Sequence, residues 1–211
     1  MKKVLITGAT GLVANQLIKT ISNDYIVYAV SSRKNILVER SSEEKNIKLY
    51  TNEELFNGIL PIGEIDVLIQ CAFTRSNDPI QVASATRFAV SVIGLAKRKG
   101  VKKILNISTR SLYQDPSEGE LNTEESPLCP SGTIGIAKYA IECILNEFLK
   151  ESNIHFSNLR LSSVNEEKLQ DVMIRPINIF VDSMLEGKPI RVISGTQVMS
   201  FIDPRDIATA V

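Results

Sequence analysis

The sequence predicts an α/β protein built on a parallel, doubly wound sheet. Short apolar runs alternate along the chain with longer segments of helical period, which is the pattern of strand–helix–strand units. One of these runs, "IDVLIQCAF" at 65–73, is apolar on both faces, as a strand covered on both sides must be. A glycine-bearing turn, "TGATG" at 7–11, separates the first run from the first helical segment.

In order, "KVLI" at 3–6 reads as a buried strand and 11–22 as a helix with Leu12, Leu17, Ile18 and Ile21 inward. "YIVYAV" at 25–30 and "NIKLY" at 46–50 read as the next strands, with the polar stretch "SSRKN" after the former. The run at 65–73 follows, then a helix from Pro79 to Lys99 that stops at Gly100. "KKILNIS" at 102–108 is the fifth strand, and a loop rich in Pro, Glu and Ser covers 114–132. A helix over 133–151 carries an apolar stripe of Ile136, Ala137, Ala140, Ile141, Ile144, Leu145 and Phe148. "IHFSNLRLSSV" at 154–164 is the sixth strand. Beyond Val164 the periodicity breaks into short pieces. The expected organisation is a sheet domain over 1–163 and a small lobe over 164–211, whose last segment returns to the core.

Composition narrows the function classes. The 211 residues are 44% hydrophobic and 23% charged, with 24 basic against 24 acidic side chains. Zero net charge gives no general attraction to nucleic acid or to an anionic membrane. No stretch is read as a membrane span, and the apolar run after Lys2–Lys3 is too short for a signal peptide. Cys71, Cys129 and Cys143 lie in no metal or redox spacing, so no metal site is expected, and a reducing, cytoplasmic setting fits. His155, the single histidine, sits at a strand entrance and reads as structural.

The turn after the first strand is where chemistry enters. Glycines at 8 and 11 allow a sharp backbone turn and close approach of a pyrophosphate, which the following helix start would hold through free amides. Ala14 occupies the third position of that pattern, where alanine is accepted. A tight turn with no ligand is the alternative. At the end of the second strand stand Ser31, Ser32, Arg33 and Lys34, with no acid before Glu39. A carboxylate there would favour NAD, whereas Arg33 offers donors to the extra phosphate of NADP, unless the stretch is a plain solvated turn.

Several segments, in order, resemble the extended short-chain dehydrogenase/reductases, in the epimerase/dehydratase group that acts on nucleotide sugars. "TGATGLVA" at 7–14 resembles T-G-x-x-G-x-x-G, and "DVLIQCAF" at 66–73 the strand ending in H-x-A-A. "ISTRSLYQ" at 107–114 resembles i-S-S-x-x-V-Y-G, "IGIAKYAIE" at 134–142 resembles Y-G-x-S-K-x-x-x-E, and "FIDPRDIATAV" at 201–211 resembles the late f-i-h-V-x-D segment. The resemblance implies a Rossmann-like sheet with a small substrate lobe. It places NADP or NAD against Gly8, Thr10, Gly11, Leu12, Val13, Ser31, Arg33, Cys71, Ala72, Phe73 and Lys138. It also implies that Thr109 binds the substrate oxygen and that Lys138 binds the nicotinamide ribose.

The family's reactive tyrosine falls on Ile134. Positions 134 and 138 share a helix face, so a hydrocarbon is expected to point into the site and the standard tyrosine–lysine pair is broken. Tyr139 lies about 140° further round the helix, Thr133 has an unhelpful alcohol pKa, and Tyr113 is the candidate replacement acid. The family's R-x-x-N-V-Y-G-P appears as "RLSSVNEE" at 160–167, and the chain stops at Val211, within the expected lobe: a fragment or a reduced lobe. Three readings stay open: an NAD(P)-dependent oxidoreductase acting on a nucleotide sugar or related carbonyl compound, a catalytically inactive dinucleotide-binding sensor or scaffold, and a structural relative that binds no nucleotide. Family precedent, with apolar residues Val82, Phe88, Ala89, Val92, Ile93, Ile141, Ile144 and Leu145, also implies a homodimer through the helices at 79–99 and 133–151.

Overall fold

Six strands run parallel in one sheet in the computed structural model, which describes residues 1–33, 35, 46–114, 121–165, 176–190, 192 and 199–211. They are β1 (Lys3–Thr7), β2 (Ile26–Val30), β3 (Ile47–Tyr50), β4 (Val67–Gln70), β5 (Lys103–Thr109) and β6 (His155–Leu161). Their order is β3-β2-β1-β4-β5-β6, and every pairing is parallel. The order reverses between β1 and β4, so the connections leaving those two strands diverge and open a crevice at their carboxyl ends.

Alternation along the strands builds one core on each face. Leu5, Tyr28, Val30, Leu68 and Ile104 join a cluster with α2 (Asn52–Phe56), α3 (Pro79–Arg98) and α4 (Gly132–Leu149). Val4, Ile6, Val27, Ala29, Ile69 and Ile107 join the other with α1 (Leu12–Ile21) and α6 (Pro204–Ala210). Each fully buried Leu, Ile or Val in these layers contributes about 1.5–3 kcal/mol relative to exposure. Ile207 and Ala208 of α6 belong to the second cluster.

The helices start and stop where local chemistry directs. The Asp78 carboxylate accepts the Gln81 N–H at 2.9 Å, with Pro79 in the first turn of α3. Gly100, at φ +80, ends it, and the Val101 N–H reaches back to the Ala96 carbonyl at 3.1 Å. Over 18 residues α3 has a mean hydropathy of 1.3, long and apolar enough to span a bilayer by length and composition. That departs from the sequence expectation. Here it is a core helix, with Val82, Ala89, Val92, Ile93 and Ala96 turned onto the sheet.

Two other features differ from the expected elements. Residues 154–164 are not one strand: β6 ends at Leu161, and β7 (Ser163–Val164) pairs in parallel with β8 (Phe201–Ile202) in a separate two-stranded sheet. The alternation continues across Ser162, but the pairing partner changes from β5 to β8. Helix α2 was not expected, although Thr51 and Glu54 form a reciprocal capping box whose signature stands in "TNEEL". A further helix, α5 (Pro176–Leu185), lies between β7 and β8. Lys34, Glu39, Glu166 and Glu167 lie outside the described residues. All three cysteines are free thiols.

Candidate nucleotide-binding cleft

A cavity of about 1130 Å³ occupies the crevice where the strand order reverses. Its floor is the turn after β1. Gly8 adopts φ +65, and a Cβ there would sit 2.7 Å from the Ala72 Cα. Only glycine permits that approach. The Gly11 N–H closes the turn on the Gly8 carbonyl at 2.8 Å. Gly11 then supplies the N-cap of α1 with no side-chain bond to the helix. The first-turn amides, with the positive end of the helix dipole, are therefore left for an anion.

The facing wall is tied to this turn by residues that the sequence reading did not single out. The buried Thr7 hydroxyl donates to the Gln70 carboxamide oxygen and accepts the N–H groups of Cys71 (3.2 Å) and Ala72 (3.4 Å). The Gln70 amide nitrogen in turn donates to the Ala72 carbonyl at 2.8 Å. Thr7 thus locks the end of β4 against the glycine turn. The signal available in the sequence was the threonine of "TGATG", facing a glutamine at the end of an apolar strand.

Gly8, Thr10, Gly11, Leu12, Val13, Ser31, Arg33, Cys71, Ala72 and Phe73 all line the cavity, as do Thr109, Ile134 and Lys138. At the end of β2, Ser31 is buried, its hydroxyl accepts the Arg33 N–H at 3.1 Å, and it lies 3.1 Å from the Thr10 hydroxyl. The Arg33 guanidinium donates to that Thr10 hydroxyl at 3.2 Å. A cation therefore sits at the end of β2. At the opposite end, Ser162, Ser163, Val164, Ile177, Met199 and Phe201 complete the wall. The sequence reading named none of them as site residues, although β7 and β8 fall within "RLSSVNEE" and "FIDPRDIATAV".

Thr109 ends β5 and caps the short 3-10 turn Arg110–Leu112, its hydroxyl accepting the Ser111 N–H at 3.2 Å while lining the cavity. Gly135 lets α4 approach that turn, since a Cβ would meet the Ser111 carbonyl at 3.2 Å. The approach sets Ile134 and Lys138 on the cavity wall. The Lys138 amine donates to the Ile107 carbonyl at 2.6 Å and lies 4.8 Å from the Phe73 ring centroid. Burial lowers its pKa to about 8, partly opposed by Cys71 and Glu142. Burial pushes the Cys71 thiol up to about 12, so it stays protonated at neutral pH.

Tyr113 is placed elsewhere. Its hydroxyl accepts the Arg160 Nη1–H at 2.6 Å, the guanidinium lies 5.1 Å from its ring centroid, and Tyr113 is not part of the cavity wall. Arg160 is gripped in turn by the buried Glu142 carboxylate, through Nε at 3.2 Å and Nη2 at 2.7 Å. Tyr113, expected as a replacement acid, is instead tied to Arg160 and is not among the residues lining the cavity. The sequence, which separates Tyr113 from Arg160 by 47 positions, did not show that pairing.

A parallel sheet in this strand order, with a glycine turn and a helix start facing a cleft at the reversal, defines a dinucleotide-type α/β fold. The family model described as "NAD dependent epimerase/dehydratase family" matches residues 4–211, and the chain belongs to that family. It is 25% identical over 166 residues to the mouse dTDP-D-glucose 4,6-dehydratase, which covers 70% of this chain and 46% of that protein. The chain thus spans about half the length of the curated relatives it matches. Among solved structures, a Thermotoga maritima UDP-glucose 4-epimerase with UDP-glucose superposes with a TM-score of 0.83 at 22% identity, covering 99% of this chain and 71% of that one. A Bacillus anthracis dTDP-glucose 4,6-dehydratase in complex with NAD superposes with a TM-score of 0.84 at 18% identity, covering 100% and 70%. These likenesses establish the fold.

Proposed function

We propose that the chain binds NAD or NADP across this cleft and takes part in an epimerase/dehydratase-type oxidoreduction of a nucleotide sugar or related carbonyl compound. The observation that carries the reading is the contact of Gly8 with Ala72, a cradle that any side chain would fill. The residues present suit the cofactor. The α1 amides would hold a diphosphate, and Lys138 lines the cavity with Thr109. The Arg33 guanidinium at the end of β2 favours NADP, because a phosphate gains a charged donor there and no carboxylate among the described residues lines the cavity.

When bound, the nicotinamide supplies a hydride acceptor and donor. The protein's part is to fix the substrate oxygen with the Thr109 hydroxyl, to hold the ribose with Lys138, and to exclude water with Ile134, Phe73, Met199 and Phe201. A second reading, a binding protein without turnover, is favoured by one residue: Ile134 stands in the wall with no proton to exchange.

The deciding experiment follows conversion of UDP-glucose to product by chromatography, with NAD and separately with NADP, for the parent and for Ile134→Tyr. A correctly placed acid–base group is worth on the order of 10²–10⁴ in rate. Slow turnover in the parent, raised about 100-fold in the variant, is expected. Turnover in the variant alone marks the parent as a binding protein, and none in either rejects the enzymatic reading for this substrate.

The proposed assembly is a homodimer. Most residues expected on its face are instead turned onto the sheet, including Val92, Ile93, Ile141 and Leu145. An apolar groove of about 590 Å³ remains between α3 and α4, lined by Phe56, Val90, Ser91, Gly94, Arg98, Ile144 and Phe148. Ile144 and Phe148 are 44% and 41% exposed, enough to support pairing through this face.

A further inference from the structure

The wall of the cleft contains few groups able to exchange a proton. Among the described lining residues the titratable side chains are Arg33, Arg75, Cys71 and Lys138. Arg33 is engaged with the Thr10 hydroxyl at the end of β2. Cys71 holds its proton too firmly, for the reason given above. Ile134 stands where a phenol would serve, and Tyr113 is engaged with Arg160 away from the wall.

Lys138 differs from all of these. It lies one helical turn from Ile134 and lines the same wall as Thr109. One N–H is spent on the Ile107 carbonyl, which fixes the amine while leaving its other valences free. The groups facing it are Cys71 after β4, Glu142 one turn along α4, and the face of Phe73. Glu142 is itself held by Arg160 of β6, so its charge is largely answered there.

We propose that Lys138 itself exchanges the proton with the substrate oxygen in this cleft, in place of the tyrosine its family uses. The inference rests on the reading of the cleft as an NAD(P)-linked oxidoreductase site. In the oxidising direction the substrate C–H bond breaks, and its electron pair leaves as hydride to the nicotinamide. The O–H proton passes to the neutral Lys138 amine, the C=O bond forms, and the amine becomes an ammonium. The reverse direction returns the proton from the ammonium as the hydride returns to carbon. Burial supports the assignment, because an amine titrating near 8 is present in both forms near neutral pH.

The test combines a titration of the protein as isolated with a rate profile. Trace acetic anhydride acetylates only free amines, so Lys138 labelling, read by peptide mass spectrometry across pH 6–11, is expected to be half-maximal near pH 8. With NAD and UDP-glucose, the oxidation rate is expected to rise through the same pH and then level off, because the free amine is the base. Lys138→Arg keeps the cation and its donors but has no proton to lose in this range. It is expected to retain NAD binding by calorimetry and to lose at least 100-fold in rate, together with the pH-dependent limb.

A labelling half-point above pH 10, or no labelling at all, overturns the proposal. So does a Lys138→Arg variant with parental rate and pH profile, while leaving the oxidoreductase reading intact. A parent that binds NAD but transfers no hydride overturns both. A parent that binds neither NAD nor NADP overturns the dinucleotide reading itself, and the inference with it.

Discussion

Replacing Gly8 with valine is expected to abolish dinucleotide binding and to lower folding stability by about 2–4 kcal/mol. Two causes act together. The residue sits at φ +65, a conformation that costs a β-branched side chain about 1–2 kcal/mol. Its new Cβ would also lie 2.7 Å from the Ala72 Cα, which cannot retreat, because Thr7 and Gln70 fasten the Cys71–Ala72 backbone. Relief requires the glycine turn to move away from β4, and that movement removes the cradle. Urea unfolding measures the first effect and calorimetry with NAD the second. A Gly8→Val protein with parental midpoint and parental NAD affinity would contradict this account of the floor of the cleft.

Replacing Glu142 with alanine is expected to cost about 3 kcal/mol, from loss of one partner of a largely buried ion pair. The carboxylate is 1% exposed and accepts from both Nε and Nη2 of Arg160, while Nη1 of the same guanidinium holds the Tyr113 hydroxyl. Removing it leaves an uncompensated charge and a void between α4 and β6, and it loosens the segment that carries Thr109. A fall in melting temperature of roughly 10 °C follows for a chain of this size. Glu142→Gln keeps the volume and one acceptor, so its fall should be smaller. Calorimetric melts of the three proteins check the order; an alanine variant within 2 °C of the parent would show that the network carries little.

The glycine turn and most of the strands were legible because they are local. Gly8, Gly11 and the apolar runs sit within a few positions of one another, and buried parallel strands leave long hydrophobic signatures. The family resemblance put Ile134 and Lys138 in the site and helical spacing put them on one face, and Gly135 between them explains how α4 comes close enough. What escaped depends on pairings between distant residues. Thr7 meets Gln70 across 63 positions, Arg160 takes Tyr113 and Glu142 from different elements, and β7 finds β8 across a stretch without clear period. Lys138 looked like a ribose ligand in the sequence. Its depressed basicity arises from the surfaces folded around it, which no spacing reveals.

Melting the protein with saturating NAD and, separately, NADP tests the central claim most directly. A ligand at about 100 times its Kd adds about 2.7 kcal/mol, which raises the transition by several degrees for a chain of this length. Upward shifts with both, larger with NADP because of Arg33, and abolished by Gly8→Val, are the expected result. Unchanged melting of the parent in both nucleotides would contradict the claim that this cleft exists to hold a dinucleotide.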